Sequence, residues 1–308
     1  MDTNAVGDAY RALVEHACPR AMPLADELWL RVNPRQWALE WNLPLWLGNQ
    51  FGVAPDVVRQ IVLSNVLGLA YVRLADDVAD GDVAPVDLPG AGELCDFLLT
   101  AAVEPYRHLL PPASPFWPRL DEWLSAWRSV TLEQDADPAP RRAGLARRGA
   151  PLKIPALALC LLGDQLAAFA EIERCLDETL SAEVLYDHFC DWREDLAAGR
   201  WNAFVGRFGS GAQHPQNRAA NQASVLAAHL SSGATQRYFA DIHDRLASAT
   251  GRARALGIAG LADFLAQLTV RLDEQSALLE RRYSALGAEA VKLVFGRHPP
   301  ASTERSRA

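Results

Sequence analysis

The run Pro55-Asp-Val-Val-Arg-Gln-Ile-Val-Leu-Ser-Asn-Val-Leu-Gly-Leu-Ala-Tyr-Val-Arg-Leu-Ala-Asp76-Asp77-Val-Ala-Asp80-Gly-Asp82 decides the fold. Pro55 stands at a helix start with Asp56 in the first turn. The missing proline N–H costs nothing there, and a carboxylate meets the positive end of the helix. The periodicity predicts a long helix to about residue 79, closed by Gly81. Residues 66–75 are almost all apolar, so this helix is buried, yet it ends in carboxylates. Asp76 and Asp80 are i,i+4 neighbours, Asp77 and Asp80 are i,i+3, and all three can point into one cavity. Like charges at this spacing destabilise a helix, so the arrangement calls for a cation.

A second acidic cluster repeats the problem. Asp187, Asp191 and Asp195 fall at i, i+4 and i+8 with Glu194 beside them, among Val184-Leu-Tyr186 and Phe189-Cys-Asp-Trp192. Surface acidic faces paired with Arg73 and Arg193 would be the plain reading of either cluster alone. Two clusters emerging from apolar helices favour a shared cation instead. Oxygen donors in this number suit Mg²⁺, which is held by a few carboxylates and completes its shell with water and phosphate oxygens.

Around these two segments, apolar residues recur at three- and four-residue spacing and alternating strand-like runs are missing. Helices are expected near 4–18, 24–32, 35–49, 93–109, 116–134, 153–177, 218–231, 235–256, 258–284 and 287–295, with Ser181 capping the one that carries the second cluster. Loops are expected at 83–92 and over the breaker-rich stretch 135–151, with a mobile glycine-rich segment at 206–217. No repeat and no linker divides the chain. One all-α domain over 1–298 with a disordered tail at 299–308 is the resulting expectation.

Composition narrows the function classes. Half of the 308 residues are apolar and the formal net charge is −8, which argues against non-specific nucleic-acid binding, since that wants a basic face. Five cysteines without a CxxC pair read as buried thiols in a reducing, cytoplasmic setting. The first residues show no basic or apolar leader pattern. The longest apolar run, 154–163, is too short to cross a bilayer, so no transmembrane segment is expected.

The Asp76-Asp77-x-x-Asp80 motif, followed by Asp191-x-x-Glu194-Asp195 on a later helix, resembles the class I isoprenoid synthase superfamily. The likeness is nearest to squalene/phytoene synthases and related bacterial terpene synthases, and about 10–290 is compatible with it. The resemblance implies an all-α bundle around a central apolar cavity. It also implies three Mg²⁺ ions binding the diphosphate of a prenyl diphosphate. Asp76, Asp77 and Asp80 would form one metal face, and Asp191, Glu194 and Asp195 the other. Asp76, Asp77, Asp191 and Arg200 would be the catalytic set. Arg148, Lys153, Arg200, Arg282 and Tyr283 are the candidate substrate contacts, each with an ordinary surface role as its alternative. Trp41, Trp46, Tyr71, Phe169, Phe189 and Trp192 are candidates for the cavity wall.

Several family features are absent. There is no Asn-Asp-x-x-Ser-x-x-x-Glu triad, which sets the chain apart from ordinary microbial terpene cyclases, and no Gly-Gly-Lys-x-x-Arg segment or second Asp-Asp-x-x-Asp, which argues against chain elongation. The leading expectation is a terpene synthase acting on one prenyl diphosphate. Its competitors are an enzyme joining two such substrates and an inactive isoprenoid-binding protein; a homodimer is compatible with each. A di-iron carboxylate protein would need Glu-x-x-His pairs, which are lacking. His243-Asp244 alone is thin support for a phosphohydrolase.

Overall fold

In the computed structural model, residues 3–131, 144–208, 222–227 and 233–295 are described, without the side chains of 131, 283 and 286–295. The first part of the 135–151 segment, residues 209–217 of the glycine-rich stretch, most of the helix expected at 218–231 and the 299–308 tail lie outside the described residues. Every regular element among the described residues is helical. In chain order they are α1 (Thr3–Ala17), α2 (Met22–Arg31), α3 (Ala38–Gln50), α4 (Pro55–Asp80), α5 (Leu88–Leu109) and α6 (Phe116–Thr131). A 3₁₀ segment at Leu145–Leu152 precedes α7 (Lys153–Leu162), α8 (Phe169–Ala198), α9 (Ala203–Phe208), α10 (Ala234–Ala255) and α11 (Ala259–Phe295).

Helix α4 is the axis of the arrangement. Its Val58, Ile61, Val62 and Val66 join a core shared with α3, α7, α8, α10 and α11. Its Leu67, Leu69, Ala70, Tyr71 and Leu74 join a second core with α1, α2 and α5. A helix that is apolar on all sides is stable only when covered on all sides. By length and composition α4 alone among the described helices could cross a membrane, but most of its apolar window is buried against its neighbours. On the far side α8 packs along α10, and α10 along α11.

Four expected boundaries are corrected. The 83–92 loop is shorter, because α5 starts at Leu88 with Pro89 in its first turn, where proline starts a helix rather than breaking one. The helix expected at 153–177 breaks at 163–168. An added Cβ at Gly163 would meet Phe51 Cβ at 2.6 Å, and Asp164 takes a positive φ of 54°. Helix α8 then runs through Ser181 without interruption, so Ser181 is a buried mid-helix residue and not a cap. The helices expected at 258–284 and 287–295 are one, α11.

Candidate functional site

Both acidic clusters sit at helix ends built alike. Gly81 (φ 77°) ends α4 and Gly199 (φ 74°) ends α8, each in the left-handed conformation that glycine adopts at no steric cost. The next residue folds back in each case: Asp82 N–H bonds to Asp77 C=O at 2.9 Å, and Arg200 N–H to Asp195 C=O at 2.8 Å. These closures stop each helix just beyond its carboxylates.

The two ends face one another. Arg200 donates from Nε to Asp195 Oδ1 at 2.9 Å, and this bond, with the charges of Asp80 and Asp82 reaching it from the α4 end, holds its pKa up. Arg148, from the 3₁₀ segment, stands close enough to Asp76 on α4 and to Asp187 on α8 to pull the pKa of each down. Even so, the net shift of Asp76 is upward, first through burial and then through Asp80 and Asp77. Asp187 and Asp191 are raised too, first by burial and then by their acidic neighbours on α8. Part of each upward shift is repulsion between carboxylates, which a cation would relieve.

Asp77 stands apart from its motif partners. It is 5% exposed and takes a two-pronged ion pair from Arg31 of α2, Nη1 to Oδ2 at 2.6 Å and Nη2 to Oδ1 at 2.9 Å. Arg73 lies 3.4 Å from both Asp76 and Asp77, and its guanidinium covers the ring of Trp37 at 5.7 Å. Arg31 is held in turn by the α2–α3 corner, where Trp37 Nε1 donates to Arg31 C=O at 2.9 Å and Trp41 Nε1 to Val32 C=O at 2.8 Å.

Behind the arginines lies a narrow cavity of about 110 Å³. Arg148 stands on its rim, and Leu69, Leu99, Val103, Leu120, Leu152 and Ile154 give it an apolar wall. Of the six aromatic candidates only Tyr71 borders it, joined by Trp37 and Tyr106. Trp46 pairs with Phe264, Phe169 with Trp123, and Phe189 and Trp192 with Phe204, while Trp41 is buried against Trp29.

The remaining candidates fall as follows. Lys153 is 8% exposed and is engaged by Asp177 at 2.6 Å and Glu173 at 3.3 Å, in a polar recess separate from the cavity. The structure does not bring it to the acidic ends. Asp191 and Glu194 are exposed on α8. Arg282 is exposed on α11, and the Tyr283 side chain lies outside the described residues.

Four residues escaped the sequence reading. Arg31 gave no signal, because its partner is 46 residues away. Asn202 is fully buried: its Nδ2 donates to His188 C=O and to Asp195 Oδ2, both at 2.8 Å, and its Oδ1 accepts from Val205 N–H at 3.0 Å. Glu183 continues the four-residue acidic period of α8 one step backward, a signal visible in the sequence. Glu40 is a lone acid in an apolar helix and borders the cavity.

Among the described residues no three acidic, histidine or cysteine side chains converge to cage an ion. What the region offers is carboxylates on two opposed helix ends with arginines between them. No family model, no curated protein and no solved structure matches this chain.

Proposed function

We propose that this chain is a Mg²⁺-dependent class I terpene synthase, acting on an allylic prenyl diphosphate at the mouth of the α4–α8 cavity. One observation carries the reading: the acidic ends of α4 and α8 oppose each other, with Arg148 reaching both and Arg200 reaching from α8 to the field of Asp80 and Asp82. Asp76 and Asp80 would hold metal from α4, and Asp191, Glu194 and Asp195 from α8, with Asp77 kept in place by Arg31. When bound, the metal supplies charge neutralisation for a leaving diphosphate.

The chain's own part is positioning and exclusion. Arg148, Arg73 and Arg200 present fixed donors where negative charge develops, and such donors need no rearrangement at the moment of reaction. The apolar wall keeps water from the carbocation left behind, and the faces of Trp37, Tyr71 and Tyr106 attract its charge. Leu180 begins an α8 stripe that passes from the cavity through Glu183 and Asp187 to Asp191. The substrate tail and the diphosphate would thus share one helix as guide.

The test is incubation with Mg²⁺ and geranyl, farnesyl or geranylgeranyl diphosphate, reading pyrophosphate release and product mass. Release with a hydrocarbon or alcohol of unchanged carbon count is expected. A product of doubled carbon count would assign the chain to the joining enzymes. No release from any substrate would overturn the proposal.

A further inference from the structure

Glu40 and Glu183 are two carboxyls that the metal and diphosphate leave unused. Glu40 projects from α3 into the cavity wall; Glu183 stands on α8 one turn below Asp187. The two are close enough that the charge of Glu40 acts on Glu183. Among the described residues the one donor to Glu40 is its own backbone amide, and no cation compensates either group. Burial pushes both carboxyls far above the ordinary carboxylate range, and Glu40 and then Asp187 push Glu183 higher still. The other ionisable groups bordering this space are Arg148, Tyr71 on α4 and Tyr106 on α5, whose phenol burial keeps neutral.

Two carboxyls that feel each other's charge carry one negative charge more readily than two. The pair then shares one proton and presents a single negative charge at the cavity wall, where Glu40 stands. A carboxylate with raised pKa is a better proton acceptor than an ordinary one, and in a medium of low dielectric it draws a cation toward itself.

We propose that Glu40 is the base that ends the reaction in this cavity, with Glu183 as the positioning partner that keeps a single charge on the pair. This rests on the prenyl diphosphate reading above. The step balances. Glu40 takes a proton from a carbon next to the cationic centre, and the C–H electron pair becomes the new C=C bond. Glu40 is left neutral and returns its proton to water through the mouth once the product leaves.

The test uses E40Q, E183Q and wild-type protein with Mg²⁺ and whichever prenyl diphosphate the wild type consumes. Pyrophosphate release by E40Q should stay within about threefold of wild type, while its alkene product falls by about tenfold or more in favour of alcohol. E183Q, which copies the protonated acid, should keep the wild-type product spectrum. Infrared spectra of metal-free protein at neutral pH should show a protonated-carboxyl band that E183Q lacks. Unchanged products in E40Q, or equal losses in both variants, would overturn the proposal. If E40Q does not fold, E40D, which withdraws the carboxylate by one methylene, should show the same change of product in smaller degree; unchanged products there would also refute it. Absence of release by the wild type defeats the base role together with the function, while the infrared band tests the shared proton on its own.

Discussion

Replacing Asn202 with alanine tests whether one buried amide holds the α8 end of the site. Three hydrogen bonds leave with the side chain: to the His188 carbonyl and to Asp195 Oδ2, each at 2.8 Å, and from Val205 N–H at 3.0 Å. The two neutral bonds are worth about 1 kcal/mol each, and the bond to a carboxylate about 1.5–3 kcal/mol. Asp195 keeps its ion pair with Arg200 and is 13% exposed, so water and Arg200 recover part of the last value. The net loss is about 3–4 kcal/mol, which for a chain of this size lowers Tm by roughly 6–12 °C. Thermal unfolding by circular dichroism without metal measures it. Asn202→Asp should be at least as damaging, because it turns a carboxylate toward both Asp195 and a carbonyl oxygen. An Asn202→Ala protein that melts within about 2 °C of wild type would refute the reasoning, since no loss of three buried bonds is that small.

Arg31→Met should lower stability by about 1–2 kcal/mol, less than a fully buried pair would, because the Arg31 side chain is 42% exposed; chemical denaturation checks it. Burial, chiefly, depresses His188 from 6.5 to about 4, and its Nδ1 accepts from Ala203 N–H at 3.2 Å. A folded pKa below the unfolded one means that the unfolded chain binds the proton first. The stability His188 contributes is therefore complete above pH 6.5 and is lost as pH falls toward 4, by at most about 3 kcal/mol. Melting temperatures of His188→Asn against wild type over that window should show the dependence flattened. Gly68→Ala should raise stability by about 0.5–1 kcal/mol, because an added Cβ meets Ala102 Cβ at an ordinary 3.9 Å within α4; Gly68→Phe should shift substrate preference to shorter prenyl chains in a competition assay. Lys153→Met should reduce stability yet leave pyrophosphate release within about twofold of wild type, since its partners are Glu173 and Asp177.

The helices and their acidic ends were legible because they rest on local chemistry. Pro55 and Gly81 bracket α4 through φ preferences alone, and the apolar period between them predicts burial. The break at 163–168 was not legible, because it depends on Phe51 lying against Gly163, a contact between residues 112 positions apart. Ser181 misled for the same reason: a serine that can cap a helix is also tolerated inside one when its neighbours are packed. In the site, periodicity placed Asp76, Asp80, Asp187, Asp191 and Asp195 on common faces. The Arg73 pairs with Asp76 and Asp77 are local, but the other arginine contacts were tertiary information. Arg31 comes to Asp77 through the α2–α3 corner, Arg148 reaches both acidic ends from a 3₁₀ segment, and Lys153 turns to a separate recess. The aromatic wall shows the same limit, since nothing local distinguishes Tyr71, which borders the cavity, from Trp41, which is packed away.

The central claim is that the ends of α4 and α8 are two faces of one metal–diphosphate site. Calorimetric titration of inorganic pyrophosphate, with and without Mg²⁺, tests it on wild type, Asp76→Asn, Asp191→Asn and the double variant. The account predicts that Mg²⁺ tightens pyrophosphate binding by about tenfold or more, that each single variant loses this gain, and that the double variant loses little beyond either one. Binding that is indifferent to Mg²⁺, or losses from the two positions that simply add, would contradict it.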